Sequence, residues 1–395
     1  MGDLVRFIIE FLLYRNKEAV QWVGYTEDES NWQQYKVVIV PCGQLGKRLV
    51  MPDLTEPHPE RIGDTWVIRT DLVYNTFFFI SRAEEILVRE RDEHDRFLAR
   101  HSLLGEGERL MTPLIDEWGK MLLKLLGLPM PKQQPSAIYL THDVDSIARY
   151  HCIKGFLGGV KRGRYQQAIA AFRDIKQDPD YTFPWLIKQD ATLSQMPYPV
   201  YPLYFMKDTI GYGFDYPQYN LDGHDFHYLA FKLMKAGAQI GWHSSYYNAF
   251  SRRPNVAINY SFHRSHFLRC SLEWMEQISH QGVMHDYSMG FADRAGFRLQ
   301  TARPVQWINP YTYEITSMVL HPLILMDVTL SEDRYMGLNQ EDAFTVCKTL
   351  IDKSWQMGGE PNLLWHNSNF GEESYHRTLY PDLLEYIQQK TLLTK

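Results

Sequence analysis

The chain has 395 residues, 45% of them hydrophobic, with 41 Lys and Arg against 47 Asp and Glu for a net charge of -6. A chain of that length and composition buries a sizeable core in one large or two unequal domains, and without a Lys/Arg-rich run it lacks the phosphate-neutralising surface of a nucleic-acid binder. The four cysteines, Cys42, Cys152, Cys270 and Cys347, are far apart and form no Cys-x-x-Cys pair, which argues against a zinc ribbon or redox motif and for a reducing compartment.

Near the N-terminus Phe7-Ile8-Ile9-Glu10-Phe11-Leu12-Leu13 is apolar, but Asp3 and Arg6 precede it, Glu10 interrupts it and no small-residue cleavage site follows. It is too short for a membrane span. It reads as a packed amphipathic helix of a cytoplasmic protein with no membrane span. Tyr35-Lys36-Val37-Val38-Ile39-Val40, ended by Pro41, and Trp66-Val67-Ile68-Arg69 read as strands, which implies a small α/β unit. From Thr76 to Arg91 apolar residues give way to charges, and Arg91-Asp92-Glu93-His94-Asp95-Arg96 reads as a solvated face. Leu114 to Leu126 has helical spacing, stopped by Gly127, Pro129 and Pro131. Pro131-Lys132-Gln133-Gln134-Pro135 then reads as a linker between an N-terminal α/β domain, residues 1–130, and a larger domain, residues 131–395.

Beyond the linker Ala137-Ile138-Tyr139-Leu140, Pro202-Leu203-Tyr204-Phe205-Met206 and Gln239-Ile240-Gly241-Trp242 read as buried strands with helical stretches between them. Leu323-Ile324-Leu325-Met326 and Asn362-Leu363-Leu364-Trp365 are further β-type runs, ending at Asp327 and His366. Alternating strands and helices predict a parallel α/β sheet or barrel, whose function gathers at the carboxyl ends of the strands. The aromatic content, 14% with 25 Tyr and 10 Trp, suits both an aromatic core and sugar-stacking surfaces, the core being the commoner use.

Side chains alternate along a strand, so in Thr141-His142-Asp143-Val144-Asp145 the two aspartates share one face and His142 points the other way. Paired carboxylates are costly unless a cation lies between them or one takes a proton, so they mark metal or acid/base chemistry; a solvated strand end is the bland alternative. Two more strands end in His243 and His366. A lone histidine is usually structural, but three strand ends converging on ligand-type side chains make a site.

These residues also resemble a family. Thr141-His142-Asp143-Val144-Asp145, Gly241-Trp242-His243-Ser244-Ser245-Tyr246 and Leu363-Leu364-Trp365-His366-Asn367 are similar, in order, to the motifs of NodB-homology polysaccharide deacetylases. Asp286-Tyr287-Ser288-Met289-Gly290-Phe291-Ala292-Asp293 with Gly296-Phe297-Arg298, and Ser81-Arg82-Ala83-Glu84-Glu85 upstream, resemble a bacterial subgroup carrying an N-terminal α/β domain. The resemblance implies a distorted (β/α) barrel in which Asp143 is the catalytic base, Asp145 and His243 bind a divalent metal, zinc foremost, His366 is the general acid and Arg298 orients the base.

The second motif departs from the family pattern. Tyr247 stands where a second histidine falls four residues after the first, one helical turn on, and a phenol replaces imidazole poorly on zinc. His266, in Arg264-Ser265-His266-Phe267-Leu268-Arg269, is the expected third ligand. His263 competes from the apolar stripe Phe267-Cys270-Trp274-Ile278, where a core role is favoured; His224, His227 and His285 are structural candidates. Asp327 is expected to contact His366 or substrate, or to be a buried structural carboxylate. The implied activity is metal-assisted removal of an N-acetyl group from a sugar or polysaccharide precursor. The alternatives are an amidase acting on a small molecule and a non-catalytic carbohydrate-binding descendant.

Overall fold

The structure is a computed structural model that describes residues 2–208, 213–216, 219–250 and 255–393. Helix α1 (Gly2–Leu12) buries Leu4, Ile8, Ile9, Phe11 and Leu12, the stripe expected of an amphipathic helix. Short strands β1 (Val23–Tyr25), β2 (Val37–Ile39), β3 (Glu60–Ile62) and β4 (Thr65–Ile68) form a sheet in the order β1-β2-β4-β3, parallel except for the β3–β4 hairpin. Helix α2 (Leu72–Ile80) starts at Asp71, whose side chain accepts from the Tyr74 N–H, and every residue in it is buried. A helix apolar all round belongs between two layers: α2 packs against the larger sheet, where Phe77 stacks on Tyr313 with ring centroids 5.1 Å apart. Helices α3 (Glu84–Leu87) and α4 (Leu114–Leu125) complete this part. Gly119 of α4 lies so close to α1 that a Cβ there would sit 2.5 Å from the Leu12 carbonyl oxygen.

The larger sheet begins with β5 (Ile138–Val144), followed by α5 (Ile153–Lys161), α6 (Tyr165–Arg173), α7 (Phe183–Asp190), β6 (Val200–Lys207), α8 (His224–Lys235), β7 (Gln239–Ser244), β8 (Asn259–Ser265), α9 (Leu272–His280) and β9 (His285–Met289). It ends with β10 (Val305–Ile308), β11 (Ile315–Met326), α10 (Asp327–Ser331), α11 (Gln340–Gln356), β12 (Asn362–Leu364) and α12 (His376–Leu393). The parallel strands run β11-β12-β5-β6-β7-β8-β9, and β9 pairs back onto β11, so that among the described residues seven parallel strands close into a barrel. Strand β10 lies antiparallel on β11 outside the closure. The expected (β/α) barrel is the fold observed.

The pleat sorts residues between lumen and shell. Along β5 and β6, Ile138, Leu140, Val144, Tyr204 and Met206 pack in the main core under the helices. The opposite faces of these and neighbouring strands supply Tyr139, Leu203, Phe205, Phe262 and Tyr287 to a separate cluster. Asp143 falls on the inner set, in register with Phe205, which is in register with Gly241. The main core is continuous from α1 and α2 into the barrel.

Candidate metal centre

The carboxyl ends of β5, β7 and β8 bring Asp145, His243 and His266 together, with one ligand atom of each lying within 4.8 Å of the others. Asp145 Oδ1 is 3.3 Å from His243 Nε2 and 3.1 Å from His266 Nε2. Each imidazole is held by its other nitrogen: His243 Nδ1 donates to the Arg264 carbonyl oxygen at 3.0 Å, and His266 Nδ1 to Asp215 Oδ1 at 3.0 Å. Such bonds fix the tautomer and ring plane and leave both Nε2 atoms facing the carboxylate, as in a histidine whose second nitrogen serves a metal. His243 Nε2 and Asp145 Oδ1 are both buried and lie 3.3 Å apart, and neither makes a well-aligned hydrogen bond among the described residues. A divalent cation between them would satisfy both. One carboxylate and two imidazoles are donors suited to zinc, with positions left over for water and substrate.

His266 reaches the centre by a local contortion. Phe267 and Leu268, just after β8, have φ of 60° and 55°, left-handed values that apolar side chains rarely adopt. Strand β8 thus ends in a sharp turn that points His266 inward. Asp215, behind it, also accepts from the Tyr246 N–H at 2.8 Å and from Ser245 Oγ. Lys207, buried at the end of β6, donates to the Asp215 carbonyl oxygen at 3.1 Å. Burial would raise the Asp145 pKa, but the His266 charge, the adjoining His243 and His266 imidazoles, and Lys207 hold it well below the usual carboxylate range. Burial lowers the His266 pKa, yet Asp145 and Asp215 together raise it above that of an ordinary imidazole. His266 therefore holds its proton more tightly than an ordinary imidazole, and a cation binding there must displace it.

Two proton-transfer candidates flank the cluster. Asp143 Oδ2 is 3.7 Å from His243 Nε2, and Asp143 is 3% exposed. His366 Nε2 is 3.8 Å from Asp145 Oδ2. Asp327 grips His366 twice, accepting from its backbone N–H and from Nδ1, both at 2.8 Å, while Asn369 donates to the same carboxylate at 2.9 Å. Burial disfavours the imidazolium, but the Asp327 charge and hydrogen bond, with Asp145 and Asp143 beyond, push its pKa up to about 10.

Of the expected site residues, Asp143, Asp145, His243, His266 and His366 gather at this mouth and Arg298 does not. The Arg298 guanidinium donates to the Gly290 carbonyl oxygen at 2.8 Å and to Glu85 at 2.7 Å, because the buried Glu85 of α3 draws it away from the lumen. The cation beside Asp143 is Arg264, whose Nη1 donates to Asp143 Oδ1 at 3.3 Å and Nη2 to Thr141 Oγ1 at 3.0 Å. Strand alternation carried the signal, since Arg264 is two residues before His266 and shares its face. For Asp215, at the end of the single 3₁₀ turn Gly213–Asp215, no sequence pattern existed. Tyr247 is 41% exposed, and residues 245–250 after β7 form turn and coil rather than a helix that would place it one turn on from His243. His263 is committed elsewhere, donating from Nδ1 to Asp286 at 2.6 Å with Nε2 3.0 Å from Ser244 Oγ. His142 points out of the lumen, with Nε2 3.2 Å from Asp190.

Fold and site together define a (β/α) barrel with an Asp-His-His centre at its carboxyl mouth. Residues 13–131, a stretch that stops short of β5, match a family described as "Family of unknown function (DUF7033)". No curated protein matches the chain. A solved structure described as "Crystal structure of putative polysaccharide deacetylase from Mycobacterium smegmatis" is similar to it at 12% identity with a TM-score of 0.42, over 66% of this chain and 86% of that one. That likeness is distant, and the fold and site rest on this chain's own strand pairing and side chains. No helix among the described residues is long and apolar enough to cross a membrane.

Proposed function

We propose that the protein is a metal-dependent hydrolase that removes the acetyl group from the nitrogen of an acetylated amino sugar. The observation that carries the reading is the convergence of Asp145, His243 and His266 on one point, with a carboxylate, Asp143, and an imidazolium, His366, on its flanks. In this reading Asp145, His243 and His266 hold a divalent ion, zinc by preference for the donor set. A bound ion of this kind lowers the pKa of a water and polarises a carbonyl oxygen.

The protein's own groups handle the protons. Asp143, kept beside the Arg264 cation, accepts the proton of the water that attacks the acetamide carbon. As the carbon–oxygen bond forms and the carbon–nitrogen bond breaks, His366 gives its Nε2 proton to the departing nitrogen. Asp327 keeps His366 charged and oriented for that delivery. The products are acetate and a free amine. Residues 131–395 carry the chemistry in this reading, and residues 1–130 brace the barrel.

A sugar is favoured over a small amide by an open groove whose lining includes Asn369, the partner of Asp327. The groove, of about 960 Å³, runs past Asn369 and Ser331, with Trp185 and Tyr375 on its walls. Aromatic faces beside polar side chains suit a saccharide, and an enclosed pocket would have suited a small amide better. The test is acetate release from N-acetylglucosamine oligomers by zinc-supplied protein. Asp143→Asn and His366→Ala are each expected to lower the rate by about 10² to 10⁴. Full activity in both variants would refute the assignment.

A further inference from the structure

We propose that the α5–α6 hairpin is a docking surface for an anionic lipid bilayer. Its exposed apolar side chains fall at helical spacing: Ile153 and Leu157 on α5 are 72% and 58% exposed, and Tyr165, Ile169 and Phe172 on α6 are 58%, 41% and 45% exposed. Spacings of four, and of four and three, put each set on one face of its helix. The hairpin has a separate inner face, where Tyr150, Ala168 and Ala171 are buried with Phe156 packed on them. Gly159 lies against Ala168, a Cβ there falling 2.9 Å from the alanine methyl, so the two helices close on each other without using the outer stripe.

Charge complementarity names the partner. The segment from Cys152 to Lys176 holds Lys154, Lys161, Arg162, Arg164, Arg173 and Lys176 against Asp174 alone, in a chain whose net charge is -6. Among the described residues none of these six cations is ion-paired with a carboxylate; Lys154 and Lys176 lie over the rings of Tyr216 and Tyr228. Exposed apolar stripes flanked by unneutralised basic residues match the headgroup layer of an anionic membrane, where the stems and rings bury shallowly and the cations meet phosphate. A protein groove would offer the apolar contact but no reason for a one-signed border.

The hairpin also stands at the mouth of the barrel. It begins soon after Asp145, and Lys154 is 3.9 Å from the ring centroid of Tyr216, the neighbour of the Asp215 that holds His266. Docking there brings the cleft to the membrane surface. The proposal does not depend on the deacetylase reading, because its test requires no turnover.

The test is co-sedimentation of the full-length protein with vesicles of phosphatidylcholine plus phosphatidylglycerol and with vesicles of phosphatidylcholine alone. Binding at least about tenfold tighter to the anionic vesicles, weakening as salt is added, is expected. The double variant Leu157→Glu/Ile169→Glu is expected to lose at least about tenfold of that affinity. Unchanged circular dichroism and zinc content in the same variant would show that its fold is intact. Equal binding to both vesicle types, no binding, or binding indifferent to the double substitution would overturn the proposal. So would a dimer abolished by these substitutions in a protein that ignores vesicles, since the occupant would then be a second copy of the chain.

Discussion

Single side chains at the mouth set how the centre responds to pH and substitution. His266 carries a proton more tightly than an ordinary imidazole while Asp145 stays ionised, so a cation competes with that proton. Zinc affinity, followed by calorimetry, should fall as pH drops, with a midpoint above that of a free histidine. A flat profile from neutral pH downwards would contradict the ligand assignment. His266→Ala should cost at least about tenfold in zinc affinity, whereas His263→Ala should keep the metal and lose stability instead. For His366 the sign runs with alkalinity: its pKa moves from 6.5 to about 10 in the metal-free protein, so its stabilising contribution is complete below 6.5 and is lost as pH rises towards 10. Urea midpoints measured across that range should decline, and His366→Gln should flatten the decline. Substituting the two arginines separately tests whether Arg264, which contacts Asp143, rather than Arg298 orients that carboxylate. Arg264→Met should lower turnover by about 10² with zinc retained, and Arg298→Met should act on stability. The aspartates and strand-end histidines were legible because period-two alternation states which side chains share a face. The partner of Arg298 was not, because it is an acid more than 200 positions upstream.

At the scale of elements, the junction of α2 and α3 with the barrel depends on a buried carboxylate shared by two arginines. Glu85 accepts from Arg82 and Arg298 at 2.7 Å each, and Arg82 also reaches the Cys270 carbonyl oxygen. Burial would raise the Glu85 pKa, but the two guanidinium charges hold it down to about 2. Glu85→Ala strands two buried cations and should cost about 3–5 kcal/mol in chemical denaturation; a loss under about 1 kcal/mol would mean that water replaces the carboxylate. The segment Arg91–Arg96 shows the limit of reading charge along a sequence. It was expected to be a solvated face, yet His94 and Arg96 are buried: Arg96 donates to the Phe267 carbonyl oxygen and to Tyr335, and the His94 ring lies 4.9 Å from that of Phe267. A charge cluster on a seam between two layers has the same composition as one in water. Strands β5, β6, β7, β11 and β12 could be found from their apolar runs, whereas the closure of β9 onto β11 could not, since parallel pairing leaves no local signature.

Across the whole molecule the two sheets share one core. Asp116 of α4 accepts from Thr301, the Ala302 N–H and Arg303, and Arg303 donates to the Phe11 carbonyl oxygen of α1. With apolar burial continuous from α1 into the barrel, urea unfolding should give one transition that coincides by far-ultraviolet circular dichroism and tryptophan fluorescence. Residues 131–395 expressed alone should fail to bind zinc with full-length affinity; wild-type affinity in that fragment would show that the first part is dispensable to the site. The pairing of β12 beside β5, which places His366 next to the strand of Asp143, also has a consequence in time. During synthesis at ~5–20 residues per second, the last of Asp145, His243 and His266 leaves the ribosome roughly 5–20 s before His366 does. A nascent chain therefore holds all three candidate metal-ligand residues while it still lacks His366 and the strand that closes β5 into the barrel.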